Sequence, residues 1–318
     1  QDHQILLCLA DSDGLRRLLQ PFDNMAQASE IKKQYKKRTL FQETWRRLTK
    51  NRGAMLGLAF LVLLVLAAAL SPVIFNYEKD VIGQNMKDRL MGPCAAHWFG
   101  TDEYGRDLFA RIVYGARYSL IIGVGSVLLG LLVGTILGSQ AGFKGGITDS
   151  IIMRGIDIFY SIPNIMTAVV IVSLLGPSTV NLMIALAFSC ASSFARIVRA
   201  SVMTIRDQEY VESSYAMGLP TWKIIVKHIL PNCLSPIIVQ ITLLIGTTII
   251  SASSLSFLGI GVPAPAPEWG ALLSAGRSHI RDASYMCIIP GLAIMFTVLA
   301  LNLLGDGLRD ALDPKLKK

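Results

Sequence analysis

Charge is scarce in this chain of 318 residues: Asp, Glu, Lys and Arg together make up 16%, against roughly 25% in an ordinary soluble domain. Histidine is rarer still, with four residues. His97 and His279 stand alone without ligand spacing, which excludes a local metal knuckle. The five cysteines (Cys8, Cys94, Cys190, Cys233 and Cys287) are odd in number and include no close pair, so no disulfide framework is built from them. They read instead as small apolar residues. No Gly-x-x-x-x-Gly-Lys-Ser/Thr stretch occurs, so the chain lacks the loop that cradles nucleotide phosphates.

What is abundant is apolar surface, at 52% of residues with a mean hydropathy of +0.50. Runs of about 20 apolar residues cross a hydrocarbon core, and six are found, at 54–75, 119–140, 156–175, 180–197, 234–257 and 286–304. Each must be helical, because lipid offers nothing to unpaired backbone amides. The expectation is an all-α integral membrane protein. The third run carries Asp157 and Pro163 near its start.

Basic residues set the orientation. Arg16, Arg17, Lys32, Lys33, Lys36, Lys37, Arg38, Arg46, Arg47, Lys50 and Arg52 precede the first run, which predicts a cytosolic N-terminus. Six spans return the C-terminus to the cytosol, together with the loop 199–231, and leave 76–118 and 259–285 outside. The net charge of +8 flanks spans, so it attracts lipid headgroups. Nucleic acid is not an expected partner. Residues 1–52 form a cytosolic N-terminal region and 53–318 the transmembrane domain. Within the former, 30–52 reads as an amphipathic interfacial helix with Phe41, Trp45 and Leu48 among Lys and Arg, or else as a solvated basic tail. A start at Gln1 suits a processed, trimmed or imperfectly delimited chain.

The second span holds Ser126, Gly130, Gly134, Gly138 and Gly142 four residues apart. That spacing lines one helix face and lets another helix approach closely, within the chain or across a dimer.

The loop 199–231 is patterned rather than featureless. Asp207, Glu209 and Glu212 favour a helix start, Gly218 suits a left-handed C-terminal cap, and Pro220 suits a second helix start. Trp222, Ile225 and Ile229 give that helix an apolar stripe, and Pro231 is expected to end it. The predicted element is a helix-turn-helix with Ala216, Met217, Leu219 and Trp222 at its corner, a protein contact or a lipid-resting loop. Outside, 97–118 is expected to form a short surface helix with an aromatic belt of Trp98, Phe99, Phe109 and Tyr114. Asp102, Glu103, Arg106 and Asp107 either offer charge to a docking protein or hold the loop together.

Glu212-Ser213-Ser214, then Gly218, then Leu230-Pro231, resembles the "EAA" loop of permeases in binding-protein-dependent ABC importers. Ser213 and Ser214 stand for its two alanines and His228 for its isoleucine. His97-Trp98-Phe99-Gly100-Thr101-Asp102-Glu103-Tyr104-Gly105-Arg106-Asp107 resembles the outer-loop signature of the dipeptide, oligopeptide and nickel permeases, in their second-subunit branch. Two further stretches, 257–263 with Glu268-Trp269-Gly270 and 304–314, are similar to that family's second outer loop and C-terminal tail.

The resemblance implies a type I ABC importer permease fold of six transmembrane helices in a bacterial inner membrane. It implies a homologous permease partner, two cytosolic ATPases that bind ATP and Mg, an external solute-binding protein, and no cofactor or metal in this chain. It also implies a coupling role for Glu212, Ser213, Ser214, Ala216, Met217, Gly218, Leu219, Trp222, Leu230 and Pro231. Di- or oligopeptide cargo is expected, with nickel or another small solute as the alternative. An ion-driven transporter is the rival class. It needs ionisable groups in mid-membrane, and the spans hold only Asp157 and Arg196, near their cytosolic ends.

Overall fold

A computed structural model of the chain describes residues 40–312. Residues 30–39 of the expected interfacial helix therefore lie outside the described residues. The part that falls within them is a short helix, α1 (Leu40–Leu48), which stops at a turn before the first span instead of running into it.

The first span is α2 (Arg52–Ile74), capped by the Asn51 side chain, which accepts from the Ala54 N–H. Beyond Arg52 its exposed residues are apolar, including Leu56, Leu63, Val65, Leu66, Leu70 and Val73, as a lipid-facing helix requires. After an outer loop comes α3 (Leu108–Lys144), 37 residues long. The surface helix expected over 97–118 is not formed as a separate element. Asp107 caps Leu108 onward, so residues 108–118 are the first turns of α3, and 97–107 is an irregular turn.

The third run also differs from expectation. It is two helices, α4 (Gly146–Tyr160) and α5 (Asn164–Leu175), bent by 86° at residues 161–163. Pro163 cannot donate to the preceding turn, and that breaks the helix. The span α6 (Thr179–Ile205) follows.

The glycine ladder sets how these helices pair. A Cβ on Gly130 would meet the Cys190 Cβ at 2.4 Å, one on Gly134 the Ala191 carbonyl oxygen at 2.5 Å, one on Gly138 the Ala195 carbonyl oxygen at 2.4 Å, and one on Gly142 the Arg199 carbonyl oxygen at 2.8 Å. The ladder is spent inside the chain, and it climbs α6 in the same direction as α3. Two parallel spans must be joined by a segment that crosses the membrane. On that packing the bent pair α4–α5 is a broken span and not a re-entrant loop, which brings the candidate crossings among the described residues from five to six.

The corner α7 (Glu209–Ala216) and α8 (Thr221–Ile224) leads through a π turn, Ile225–Ile229, and a 3-10 turn, Leu230–Cys233, into α9 (Leu234–Phe257). Pro231 does not end this helix. It sits in the first turn of the 3-10 segment, where its missing N–H is not needed, and helical structure runs on into the span. On the opposite side α10 (Trp269–Gly276) precedes the last span, α11 (Tyr285–Leu312). Ala54 lies against Gly307 and Gly57 against Ala300, so α2 and α11 are antiparallel. Residues 52 and 312 end on one side, the side of the α7–α8 corner.

Candidate functional site

The corner is built on one shared core. Val198 and Val202 of α6, Val211 of α7, Ile224, Ile229 and Cys233 beneath the turn, and Ile237 of α9 form a single buried cluster. Leu219 and Leu230 are half-buried against it. Burial of several such aliphatic side chains, at about 1.5–3 kcal/mol each, packs the corner firmly against α6 and α9.

The turn itself is a Schellman cap. The Gly218 N–H donates to the Tyr215 carbonyl at 2.9 Å and the Leu219 N–H to the Ser214 carbonyl at 3.3 Å, with Gly218 at φ +74°. The Ser213 and Ser214 hydroxyls both fold back onto the Tyr210 carbonyl, at 3.0 and 2.8 Å, so the small-residue packing of an Ala-Ala pair is kept. Asn232 donates to the Tyr210 hydroxyl at 3.1 Å and pins α7 to the start of α9. Tyr215 stacks on Phe143 at 6.3 Å, which ties the corner to the end of α3.

What points away is an apolar surface: Tyr215, Met217, Trp222 and Val226 are 59%, 71%, 62% and 57% exposed. Trp222 therefore belongs to the outer face and not to the buried stripe, whose first member is Ile224. Beside this surface lies a depression of about 700 Å³ lined by Lys144, Arg206, Asp207, Glu212 and Tyr215. Glu212 is exposed there, and among the described residues its carboxylate makes no hydrogen bond or ion pair. The corner is positioned without it. Two charge pairs that sequence reading missed brace the same end of the molecule: Arg199 grips Asp149 with two bonds of 2.5 and 2.6 Å, and Arg196 meets Asp157 at 2.9 Å. Complementary charges at the ends of neighbouring spans were the available signal.

The other side carries the outer loop. Asp102 is its hub: one carboxylate oxygen accepts from the Tyr104 and Arg106 N–H groups at 2.9 and 3.0 Å, the other from Arg106 Nε at 2.7 Å and Arg111 Nη1 at 2.6 Å. Asp102, Arg106 and Arg111 are all buried. This corrects the expectation that Asp102 and Arg106 present charge to a docking protein, because their hydrogen bonds are spent inside the loop. Asp107 is likewise engaged, with the Ala110 N–H and with His97 at 3.0 Å. Glu103 faces His279 at 3.5 Å. Tyr77 packs beside this loop, and burial raises its phenol above the ordinary value, with Tyr118 adding to the shift. Exposed Trp98 and Tyr104 give the loop an aromatic surface.

Glu268 and Trp269 play a structural part. Glu268 is fully buried, accepts from the Ala271 N–H at 2.9 Å to cap α10, and lies 3.4 Å from the Ser119 hydroxyl. The Trp269 indole donates to the Ile112 carbonyl at 3.0 Å. Among the described residues no group of three His, Cys, Asp or Glu side chains is placed to hold a metal.

Five apolar helices and a broken pair, with a packed corner on one side and a closed loop on the other, define a polytopic membrane protein. The comparisons with known proteins agree. Residues 116–318 match the family described as "Binding-protein-dependent transport system inner membrane component", and residues 39–93 match the "N-terminal TM domain of oligopeptide transport permease C". The chain is 45% identical over 284 residues to the dipeptide transport system permease protein DppC of Alkalihalophilus pseudofirmus, covering 89% of this chain and 93% of the relative. It is 44% identical to the glutathione transport system permease protein GsiD of Pectobacterium atrosepticum, at 88% and 93% coverage. It is 42% identical to the di/tripeptide transport system permease protein DppC of Pseudomonas aeruginosa, at 87% and 92%. Among solved structures, the inward-facing MetNI methionine ABC transporter shares the fold, with a TM-score of 0.52 and 21% identity over 65% of this chain and 98% of that one. The chain belongs to the binding-protein-dependent transport permease family and is the membrane-spanning, non-catalytic subunit of an ABC importer, multi-pass in the inner membrane. Subunits of this class work with a partner permease, an ATPase and a binding protein.

Proposed function

We propose that this chain is the second permease of an importer that takes di- or short oligopeptides from a solute-binding protein and passes them inward. The relatives' names support peptide cargo, whereas nothing among the described residues favours nickel. Both termini and the loop 199–231 lie in the cytosol, in keeping with the basic flanks. Residues 1–52 form the cytosolic lead-in and 53–318 the transport domain. ATP and Mg are bound by two partner ATPase subunits, and this chain itself needs no cofactor.

The observation that carries the mechanism is the single core shared by the α7–α8 corner, α6 and α9. The exposed surface of Ala216, Met217 and Trp222 seats in a groove of the ATPase, with Gly218 setting the turn. When the ATPases close on ATP, a corner that cannot deform relative to α6 and α9 must carry those spans with it, and the pathway switches from inward-open to outward-open. Glu212 is free to pair with a cation on the ATPase. On the outer side, Glu103 with Trp98 and Tyr104 offers the surface for the binding protein, over a loop held rigid by Asp102, Arg106 and Asp107.

ATPase activity of the whole complex in lipid nanodiscs, titrated with short peptides and separately with nickel, tests this reading. Stimulation by peptides alone is the expected outcome. Stimulation by nickel, or by neither, overturns the cargo assignment.

A further inference from the structure

Beyond Arg52, the exposed residues of α2 are apolar, as lipid demands, but one exposed face of the bundle is not. Where α5, α6 and α9 meet, a cavity of about 80 Å³ opens onto the surface of the subunit, half of its lining apolar and half polar, the polar half being Asn164, Ser189, Ser193, Thr247, Thr248 and Ser251, with no charged residue. Its depth follows from helix rise. Asn164 begins a 12-residue helix and so lies about 18 Å below that helix's outer end, while Ser189 lies about 15 Å along α6 from Thr179 and Thr247 about 15 Å along α9 from Phe257. These positions fall at the middle of a hydrocarbon core of about 30 Å.

Polar groups at that depth are costly against lipid and must meet water, protein or solute. The bend at 161–163 adds to the demand. It puts the start of α5 at this cavity with no side-chain cap on its first turn, so the first amide N–H groups of that helix have no partner within it. The hydroxyls are complementary. Thr247 donates to the Leu244 carbonyl at 3.1 Å and Ser251 to the Thr247 carbonyl at 3.0 Å, which leaves their lone pairs to accept from a guest. Below, toward the corner, the first charge on this face of α6 is Arg196, held by Asp157 and lying 3.9 Å over the Tyr160 ring.

We propose that this cavity is the chain's half of the solute path, and that its neutral donors and acceptors hold the main-chain amides of a passing peptide and not its side chains. An uncharged lining whose polar half offers both N–H and hydroxyl oxygen, set among apolar side chains, matches a peptide bond and discriminates little between acidic and basic residues. The inference rests on the importer reading above and adds the residues and the chemistry of recognition.

The test uses the whole importer in proteoliposomes, with the native cysteines of this chain replaced and single cysteines introduced as Ser193→Cys, Thr247→Cys or Ser251→Cys. The reagent is a charged, membrane-impermeant thiosulfonate, and Leu132→Cys and Val65→Cys on exposed aliphatic faces are the controls. The path positions are expected to react at least tenfold faster than the controls, with rates that change when ATP is trapped. Rates equal to the controls overturn the proposal. In parallel, Thr247→Val with Ser251→Ala is expected to slow uptake of Ala-Ala, Lys-Ala and Glu-Ala by a common factor of about tenfold. A loss confined to one charge type overturns main-chain recognition. Absence of peptide uptake by the unmodified complex sinks the cargo reading instead, and thiol reactivity still decides whether this face is wet.

Discussion

Gly218 gives the sharpest test of the corner as a lever, because its substitution separates backbone strain from steric fit. It holds φ +74°, and a Cβ built on it would have no heavy atom within 4 Å. Within the subunit there is therefore nothing to clash with, and the cost of a side chain is conformational. For an L-residue it is about 1–2 kcal/mol, and a β-branched residue pays at the upper end or beyond. At 1.4 kcal/mol per decade, about 2 kcal/mol shifts the balance between the native turn and a relaxed one about 30-fold. Relaxation breaks the two cap bonds to Tyr215 and Ser214 and re-aims Met217 and Trp222, the residues that reach outward. Gly218→Val should then lower the number of peptides imported per ATP hydrolysed, measured as uptake and phosphate release from the same proteoliposomes, while leaving assembly of the spans intact. Gly218→Asn is the control, since Asn tolerates the left-handed region, and it should remain close to the unsubstituted protein. Normal coupling in Gly218→Val refutes the lever. Equal damage from Asn and Val refutes the strain account and points to steric fit in the ATPase groove.

Other substitutions follow from the same geometry. Gly134→Ala places a Cβ 2.5 Å from the Ala191 carbonyl oxygen and 2.6 Å from the Phe194 Cβ; overpacking of this kind costs about 1–3 kcal/mol and should lower the melting temperature of the detergent-purified complex, whereas Gly155→Ala, with nothing within 4 Å, should not. Asp102→Asn leaves the buried Arg106 and Arg111 guanidiniums without a counter-charge, a loss of about 3–5 kcal/mol for a broken buried pair; thermal unfolding should show it with little dependence on salt, in contrast to an exposed pair. Glu268→Ala removes the cap of α10 and should cost about 1–2 kcal/mol, seen as faster amide exchange in residues 269–272. Glu268→Gln keeps an acceptor and should be milder.

Much of this protein was legible in one dimension. Five spans could be read from apolar length alone, because lipid forces any uninterrupted apolar run into a helix whatever its neighbours. The Gly218 cap could be read too, since the conformation it adopts is a local property of the backbone. The glycine ladder announced a close contact, but its spacing is the same whether the second helix belongs to this chain or another; only the stack of Ala187, Ala191 and Ala195 against it decided for α6. Pro163 signalled a break without its consequence. A bend of 86° and a polar cavity at its elbow depend on where α6 and α9 stand. Pro231 misled, because a proline ends a regular helix but not one that has loosened into π and 3-10 turns. For Asp102 and Arg106 the sequence left docking charge and loop fastening open, and only burial with Arg111 decided for the fastening, since pairing across nine residues and a reversal of the chain has no sequence period. The sequence by itself determined the solvent each segment lives in and the conformation of its turns, because those depend on residue type and near neighbours. The tertiary structure alone decided which faces meet, and with them which polar groups are spent on the fold and which are left for a solute.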